Sequence, residues 1–400
     1  MSKGRIRILV DLLALGYGGS ETYAREVLPR MAGGSNEIAV LLAAGTGEKL
    51  RSSLGPHIKI IDAPQRVRNP FRRHFYQRHT LPKLIREMGI DVLFVPGGQT
   101  GTRKGPNDSF KLTSMLRNML PFDERERARF SYWNYPWVRL RLELLASSLI
   151  KSFRASDRII FISEYSRSVV QPRCPGVDFR IIPHGIKPMD SGTVGGLEKF
   201  GIATPYFCYL SILDPYKHQD KVIEGFQKWQ QRSTTANVEL VLAGPPAGTF
   251  GERIIQQARR AENSVRYIGP VTPADIPALL RHAKILLFAS TCETCPNILL
   301  EYLSAGRPIL CSKTPPMPEF GGDAVRYVDA EDPAAWATAL DSLISDTDAQ
   351  SGLSQRAKER SALYSWDDTA RRTLAALTEW DNAAQSAVSG HVLERSARHS

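Results

Sequence analysis

Twice along this 400-residue chain, short runs of apolar and β-branched residues alternate with longer segments of helical character. This alternation constrains the fold more than any other feature. Strands joined by helical crossovers pair in parallel, and a parallel sheet needs helices over both faces. In the first half the strand-like runs lie at 5–10, 37–43, 59–62, 91–95, 159–162 and 180–183. In the second half they recur at 206–210, 239–243, 265–268, 285–289 and 308–312. Helical segments fall between them, including 20–28 with Ser20 as a cap, 81–88, 221–230 and 298–305. A stretch at 187–196, rich in Pro, Gly, Ser and Thr, separates the two series and reads as a linker. The length is too great for a single core and comfortable for two. The expected fold class is therefore α/β, with two Rossmann-like doubly wound domains facing across a cleft. The first covers residues 1–187 and the second 188–365, followed by a last helix and a polar tail at 387–400 that reads as disordered.

Bulk properties exclude several classes. No apolar run reaches the roughly 18–20 residues that span a bilayer. The N-terminus starts basic and turns apolar, as a signal peptide does. Asp11 interrupts that run and a glycine-rich turn follows, which favours a first buried strand. Five cysteines, an odd number, make no disulfide framework and suit a reducing cytoplasm. The net charge of +11 calls for an acidic partner: nucleic acid, an anionic membrane or a phosphorylated small molecule. Charge alone does not choose among them.

The most informative segment runs from Ile285 to Glu301. A buried strand ends near Ser290, a polar loop follows, and a helix starts near Pro296 or Asn297. Free amides at such a helix start form a site for phosphate. Glu293 lies in the loop and Glu301 about one turn into the helix. Carboxylates beside an anion site repel the anion unless they have another task, and accepting hydrogen bonds from sugar hydroxyls is one. On spacing alone, two solvated glutamates flanking a helix start fit equally well.

These two glutamates, with seven residues between them and followed by Tyr302-Leu303-Ser304-Ala305-Gly306-Arg307-Pro308-Ile309, resemble the signature of glycosyltransferase family 4, a retaining family with the GT-B fold. Further segments match in the same order: Gly18-Gly19-Ser20-Glu21, Ile182-Pro183-His184-Gly185-Ile186, Asp214-Pro215-Tyr216-Lys217, Leu240–Gly244 and Tyr267–Val271. The resemblance implies that Glu293 contacts the transferred sugar and Glu301 the ribose. It assigns Lys217 to the diphosphate, where it stabilises charge on the leaving group. Amides around Asn297, Ile298 and Leu299 bind phosphate, Gly18 and Gly19 let the backbone approach the donor, and Val271 meets the base. A C-terminal helix at about 366–386 is expected to pack back on the first domain. No cofactor and no essential metal are expected, the nucleotide diphosphate sugar being a substrate.

Two positions depart from the family pattern. Many members carry an Arg five residues before the phosphate lysine, where this chain has Ile212. Many place a His facing the donor sugar, where the matching stretch here offers Arg117 and Asn118. Either of these is expected to take over that contact. Cys292-Glu293-Thr294-Cys295 lacks the second pair of a zinc site. Asp346-Thr347-Asp348 mimics a metal-binding carboxylate pair but reads as a solvated loop.

The acceptor side shows in composition. Residues 66–79 hold five arginines with Phe71, Phe75 and Tyr76, and 125–158 continues the theme with Trp133, Tyr135 and Trp137. Basic residues beside aromatics suit an anionic membrane surface or a lipid-linked acceptor, and a solvated helix face with its aromatics in the core fits equally. The expected activity is transfer of a hexose-type sugar from a nucleotide sugar donor to a saccharide or lipid-linked saccharide. The setting is polysaccharide or lipopolysaccharide synthesis, in the cytoplasm or peripherally on the membrane's cytoplasmic face. A sugar-nucleotide 2-epimerase and a non-catalytic nucleotide-sugar-binding protein share the layout. Nucleic acid is disfavoured, because no recognition motif accompanies the charge.

Overall fold

The computed structural model describes residues 5–14, 19–130, 136–189, 197–202, 205–233, 238–261 and 264–380. β1 (Arg7–Asp11), β2 (Glu37–Ala43), β3 (Ile58–Ala63), β4 (Val92–Val95), β5 (Lys111–Leu116), β6 (Arg158–Phe161) and β7 (Asp178–Ile181) form one parallel sheet in the order β3-β2-β1-β4-β5-β6-β7. β8 (Tyr206–Leu210), β9 (Glu239–Ala243), β10 (Val265–Tyr267), β11 (Ile285–Phe288), β12 (Ile309–Ser312) and β13 (Arg326–Val328) form a second, in the order β10-β9-β8-β11-β12-β13. Central strands such as β4, β8, β11 and β12 are buried at every residue, because helices cover both faces of each sheet. The architecture is thus two doubly wound α/β units, the fold class expected from the sequence.

Several elements escape the periodicity reading. β5 carries Thr113 and Ser114, both fully buried, and the Ser114 hydroxyl is satisfied by Ser156 at 2.8 Å. A strand that buries hydroxyl groups, one of them satisfied by a residue 42 positions away, does not look apolar in sequence. Asp346 does not sit in a solvated loop: it caps the helix Thr347–Ser361 by accepting from the Ala349 amide at 2.8 Å. The helix expected to begin after a Ser20 cap begins at Gly19. The 387–400 tail lies outside the described residues.

The last described helix, Trp366–Thr378, packs against Gly19–Met31 in the first domain. Tyr23 and Thr373 share a hydrogen bond of 3.2 Å, and Arg30 pairs with Asp367 at 2.9 Å. Arg158, almost fully buried at the start of β6, donates to the carbonyls of Ala376 and Glu379 and lies over the Trp380 ring. Loose carbonyls at a helix end favour such a cation. The chain therefore crosses between domains twice, and the crossings touch. Ile186 bridges to Ser365, and a Cβ on Gly185 would stand 2.1 Å from the Trp366 nitrogen. Only glycine permits that approach.

Candidate active site

In the second sheet the strand order reverses between β8 and β11, and the crevice outside the carboxyl ends of two such strands is where doubly wound folds place ligands. β8 leads to the tight turn Pro215–Lys217, and β11 leads through the loop 289–296 to the helix Asn297–Ala305. A Cβ on Gly244, after β9, would stand 1.9 Å from the Ser211 carbonyl, so glycine is what lets the neighbouring loop pack against the β8 segment. The Tyr209 hydroxyl fastens the two functional segments together: it donates to the Lys217 carbonyl and accepts from the Ala289 amide at 3.1 Å.

Lys217 is 5% exposed, with its ammonium over the rings of Tyr216 and Phe288 at 5.0 and 5.3 Å. A buried ammonium requires a counter-charge, and the Glu293 carboxylate supplies it by direct contact with Nζ. The sequence thus named two residues whose side chains meet. Glu301 is different: burial pushes its carboxyl up to about 7, and its Oε2 has no hydrogen-bond partner. Ser290 Oγ, at the end of β11, is buried and without a partner as well. Leaving such atoms unmade costs about 1–3 kcal/mol each, a cost that ligand hydroxyls remove.

The amides of the helix start divide in a way the sequence did not reveal. The Asn297 N–H is already engaged by the Cys295 carbonyl at 2.9 Å, and its side-chain oxygen by His184 Nδ1 at 2.9 Å. Leu300 bonds back to Pro296 at 3.1 Å. The amides of Ile298 and Leu299 have no acceptor among the described residues. The expectation of phosphate on the Asn297 amide is therefore corrected to the next two. Val271 is half-buried, packed against the core after β10. Gly18 lies outside the described residues, while Gly19 opens the first helix.

Opposite the loop, Arg117 follows β5 with its guanidinium 5.1 Å from the Tyr23 ring centre. Burial lowers its pKa to about 10, which leaves it protonated at pH 7, and Cys295 of the loop lies within its field. Asn118 turns away: it is exposed, and its side chain accepts from the Leu120 amide at 3.1 Å, which shapes a turn. Of the two candidates to face the donor sugar, the geometry leaves Arg117. His184 stacks between Tyr23 and Trp366, and burial together with Arg117 drives its pKa down to about 3. It is neutral at pH 7 and donates from Nδ1 to Asn297.

A polar network that the sequence reading missed joins the domains beside Lys217. Asp123 caps the short helix Glu124–Arg129. From it Glu126, 1% exposed, accepts from Thr291 Oγ1 at 2.6 Å and from Arg129 Nε at 2.6 Å. Thr291 also contacts His218 Nε2 at 2.9 Å. Burial, then Arg129, lowers the His218 pKa to about 4. Because the threonine proton goes to Glu126, the neutral His218 donates from Nε2. Arg125 and Arg129 both pair with Glu331 of the second domain. Glu319 accepts from the Glu164 and Tyr165 amides at 2.7 and 3.1 Å. Cys292 packs among Leu116, Met119 and Phe122 of the first domain. The loop is thus covered by the N-terminal domain, with the two domains closed over it. No local pattern marks Glu126 in a segment reading Glu-Arg-Glu-Arg, since its partner in the other domain, Thr291, is 165 residues away.

Two doubly wound parallel α/β domains, with a charged pair and an unsatisfied acid beyond the strand ends of the second, have the GT-B architecture. The profile described as "Glycosyltransferase Family 4" matches residues 17–189, and "Glycosyl transferases group 1" matches 198–360. The chain belongs to glycosyltransferase family 4. Among curated relatives it is 31% identical over 180 residues to the D-inositol 3-phosphate glycosyltransferase of Salinispora arenicola, a match covering 43% of this chain and 39% of that one. It is 24% identical over 246 residues to O-antigen chain mannosyltransferase B of Escherichia coli, covering 59% and 64%. These matches span less than two thirds of either relative's length. A glycosyltransferase of Rickettsia africae superposes with a TM-score of 0.71 at 15% identity, over 94% of this chain and 99% of that one. Anabaena HepE in complex with UDP and glucose superposes with a TM-score of 0.66 at 17% identity, over 94% and 100%. At these identities the structures speak to fold alone. Among the described residues no helix is long and apolar enough to cross a membrane.

Proposed function

We propose that this protein moves a hexose-type sugar from a nucleoside diphosphate sugar to a hydroxyl of a saccharide or lipid-linked saccharide, with retention of configuration. The observation that carries this reading is how the charged side chains of the site are paired and left unpaired. A buried lysine is neutralised by Glu293, and a second acid, Glu301, whose carboxyl burial raises to about 7, lies one turn into the following helix with a buried oxygen that no protein group satisfies. An incoming diphosphate replaces Glu293 as the counter-ion of Lys217 and lies on the Ile298 and Leu299 amides. Glu293, released, accepts from the hydroxyls of the transferred sugar, and Glu301 accepts from the ribose diol. The acceptor hydroxyl attacks the anomeric carbon from the face the nucleotide leaves, and the departing diphosphate takes its proton. Lys217 and the helix amides stabilise the charge that develops, so the chemistry needs no metal ion. Arg117, cationic and across the loop, faces the donor sugar.

The complexes of HepE with UDP and with UDP-glucose support a nucleotide sugar donor. The E. coli O-antigen chain mannosyltransferase supports a role in surface polysaccharide or lipopolysaccharide assembly. A thermal-shift panel of UDP-, GDP- and ADP-sugars tests the reading, because a ligand of the folded state raises its stability. One family of donors is expected to raise the melting temperature. A flat response to every nucleotide sugar would sink the proposal.

A further inference from the structure

The two faces of the N-terminal domain differ in what they leave uncovered. One is capped by Gly19–Met31 and Trp366–Thr378. The other carries the helices Pro70–His79 and Pro136–Arg154, with the segment 99–102 between them. That segment is bonded to both. Gly101 N donates to Gln77 Oε1 at 3.0 Å and Thr102 Oγ1 to the Gln77 carbonyl at 3.1 Å, while Gln99 reaches Ser148 at 2.7 Å and Thr100 N reaches Ser152 at 3.0 Å. The two helices are thus the walls of a groove and 99–104 its floor.

Apolar side chains stand on both walls. Phe71 is 86% exposed and Phe75 64%, on a ten-residue helix that contains no acid. Trp137 is 80% exposed and Leu144 63%, and Leu140 is exposed between them. Leu144 and Ser148 share one stripe of their helix, four residues apart, so the apolar run leads to the serines that hold the floor. Large exposed apolar groups concentrated in one place mark a contact surface. The floor has the opposite character. A cavity of ≈ 420 Å³ is lined by His74, Arg78, Gly101, Arg103 and Lys104. Arg103 and Arg78 are close enough that each feels the other's charge. Arg103 donates only to the carbonyls of Thr100 and Thr102, and Arg78 has no ion-pair partner among the described residues. Asp157, bound to Lys104 at 2.6 Å, is the single acid bonded to a cation of this pocket among the described residues.

A basic pocket formed by the Pro70–His79 helix and residues 101–104, with exposed apolar side chains on that helix and on Pro136–Arg154, matches a molecule with an anionic head and hydrocarbon tails. We propose that this groove is a lipid-docking site: the phosphate of an anionic membrane lipid seats on His74, Arg78, Arg103 and Lys104, while Phe71, Phe75, Trp137, Leu140 and Leu144 enter the acyl layer. This deepens the proposed function and rests on its reading of a membrane-held acceptor. It adds a second anion site, separate from Lys217 and the helix amides. Gln77 also donates to Asp11 at the carboxyl end of β1 at 2.7 Å, so the groove starts beside the strand ends that face the cleft. A lipid-linked acceptor held at the surface can reach the donor from there.

The test uses the full chain and sedimentation with vesicles of phosphatidylcholine alone or mixed with phosphatidylglycerol. Binding to the mixed vesicles is expected to be strong and to weaken with salt. Each basic residue at an anionic surface contributes about 1 kcal/mol, so the double variant Arg78→Glu, Arg103→Glu is expected to bind at least about tenfold more weakly. The variant Phe71→Ser, Leu144→Ser is expected to dissociate even at low salt. In the mixed vesicles, brominated acyl chains are expected to quench fluorescence in the parent and less in Trp137→Phe. All these side chains are exposed or line the open groove, and unchanged circular dichroism confirms folding. Equal vesicle binding by parent and Arg78→Glu, Arg103→Glu overturns the proposal. So does protection of the melting temperature by soluble glycerol phosphate without vesicle binding, which would assign the pocket to a free phosphate. Transfer to a soluble acceptor is measured in parallel. Loss of vesicle binding with transfer intact, or the reverse, separates this proposal from the activity itself.

Discussion

The two walls of the interdomain cleft are made by opposite means. The C-terminal wall holds its chemistry on short, continuous pieces of chain: one turn after β8 and one loop with its helix after β11. Its groups are paired within that wall, as Lys217 is with Glu293. The N-terminal wall contributes isolated side chains from separate elements, Arg117 after β5 and Glu126 on a six-residue helix, and each gains its meaning from a partner in the other domain. The lesson is a division of labour. On the proposed function, donor recognition belongs to the strand ends of one sheet, whereas the opposite wall supplies the side chains that close the two domains together.

That contrast can be broken most sharply at Glu293. Glu293→Gln is expected to reduce transfer by about 10²–10³-fold, the scale of losing one oriented transition-state contact. It also leaves the Lys217 ammonium buried alone, at a cost of about 3 kcal/mol to the donor-free protein. Nucleoside diphosphate replaces the missing charge, so the ligand-induced rise in melting temperature is expected to be larger in the variant than in the parent. An equal or smaller rise would show that the phosphates do not take over Lys217. On the N-terminal wall, Arg117→Ala is expected to lower turnover roughly tenfold to a hundredfold, a charged hydrogen bond's worth of about 1.5–3 kcal/mol. Asn118→Ala, in a turn, is expected to leave turnover alone. Unchanged kinetics in both would remove Arg117 from the donor contact.

Glu301 sharpens the comparison through pH. Its carboxyl titrates at about 7, and hydrogen bonds from a diol favour the ionised form. Donor affinity is therefore expected to rise between pH 6 and 8, and Glu301→Gln to flatten the profile while lowering affinity about tenfold. Isothermal titration at several pH values reads both. The histidines act on stability instead. His184 and His218 titrate at about 3 and about 4 in the folded chain, against an ordinary 6.5. The unfolded chain then binds more protons below pH 6.5, so their contribution is complete above that pH and is lost as pH falls toward 4. At pH 5 each is expected to remove about 2 kcal/mol, read by denaturant titration. The smallest effect belongs to the half-exposed closure pair. Arg125→Ala is expected to change stability by under about 1 kcal/mol. A shift of several kcal/mol would mean that closure, too, is built like the C-terminal wall.

How much of this was readable in the sequence follows the same division. The C-terminal wall could be read because most of its groups lie within one loop and one helix start, where strand ending, helix tip and spacing all leave marks within seventeen residues, and Lys217 sits in a short turn directly after another strand. Even there, the Cys295 carbonyl engages the Asn297 amide and leaves those of Ile298 and Leu299 as the ones the proposal assigns to phosphate. Glu126, Thr291, His218 and Glu331 left no mark, because their bonds span distances in sequence that no local pattern records.

By itself the sequence determined the local terms: which runs are apolar and β-branched, where glycine and proline interrupt them, and that a lysine and two glutamates follow strand ends. Those terms depend on neighbours a few residues apart, and so they set the α/β alternation and the donor motif. Only the tertiary structure decided which charges meet, which acid is buried enough to titrate near pH 7, and which basic side chains line an open pocket. Those properties arise from burial and pairing between distant segments, and the chain acquires them when the two domains and the returning helix close on one another.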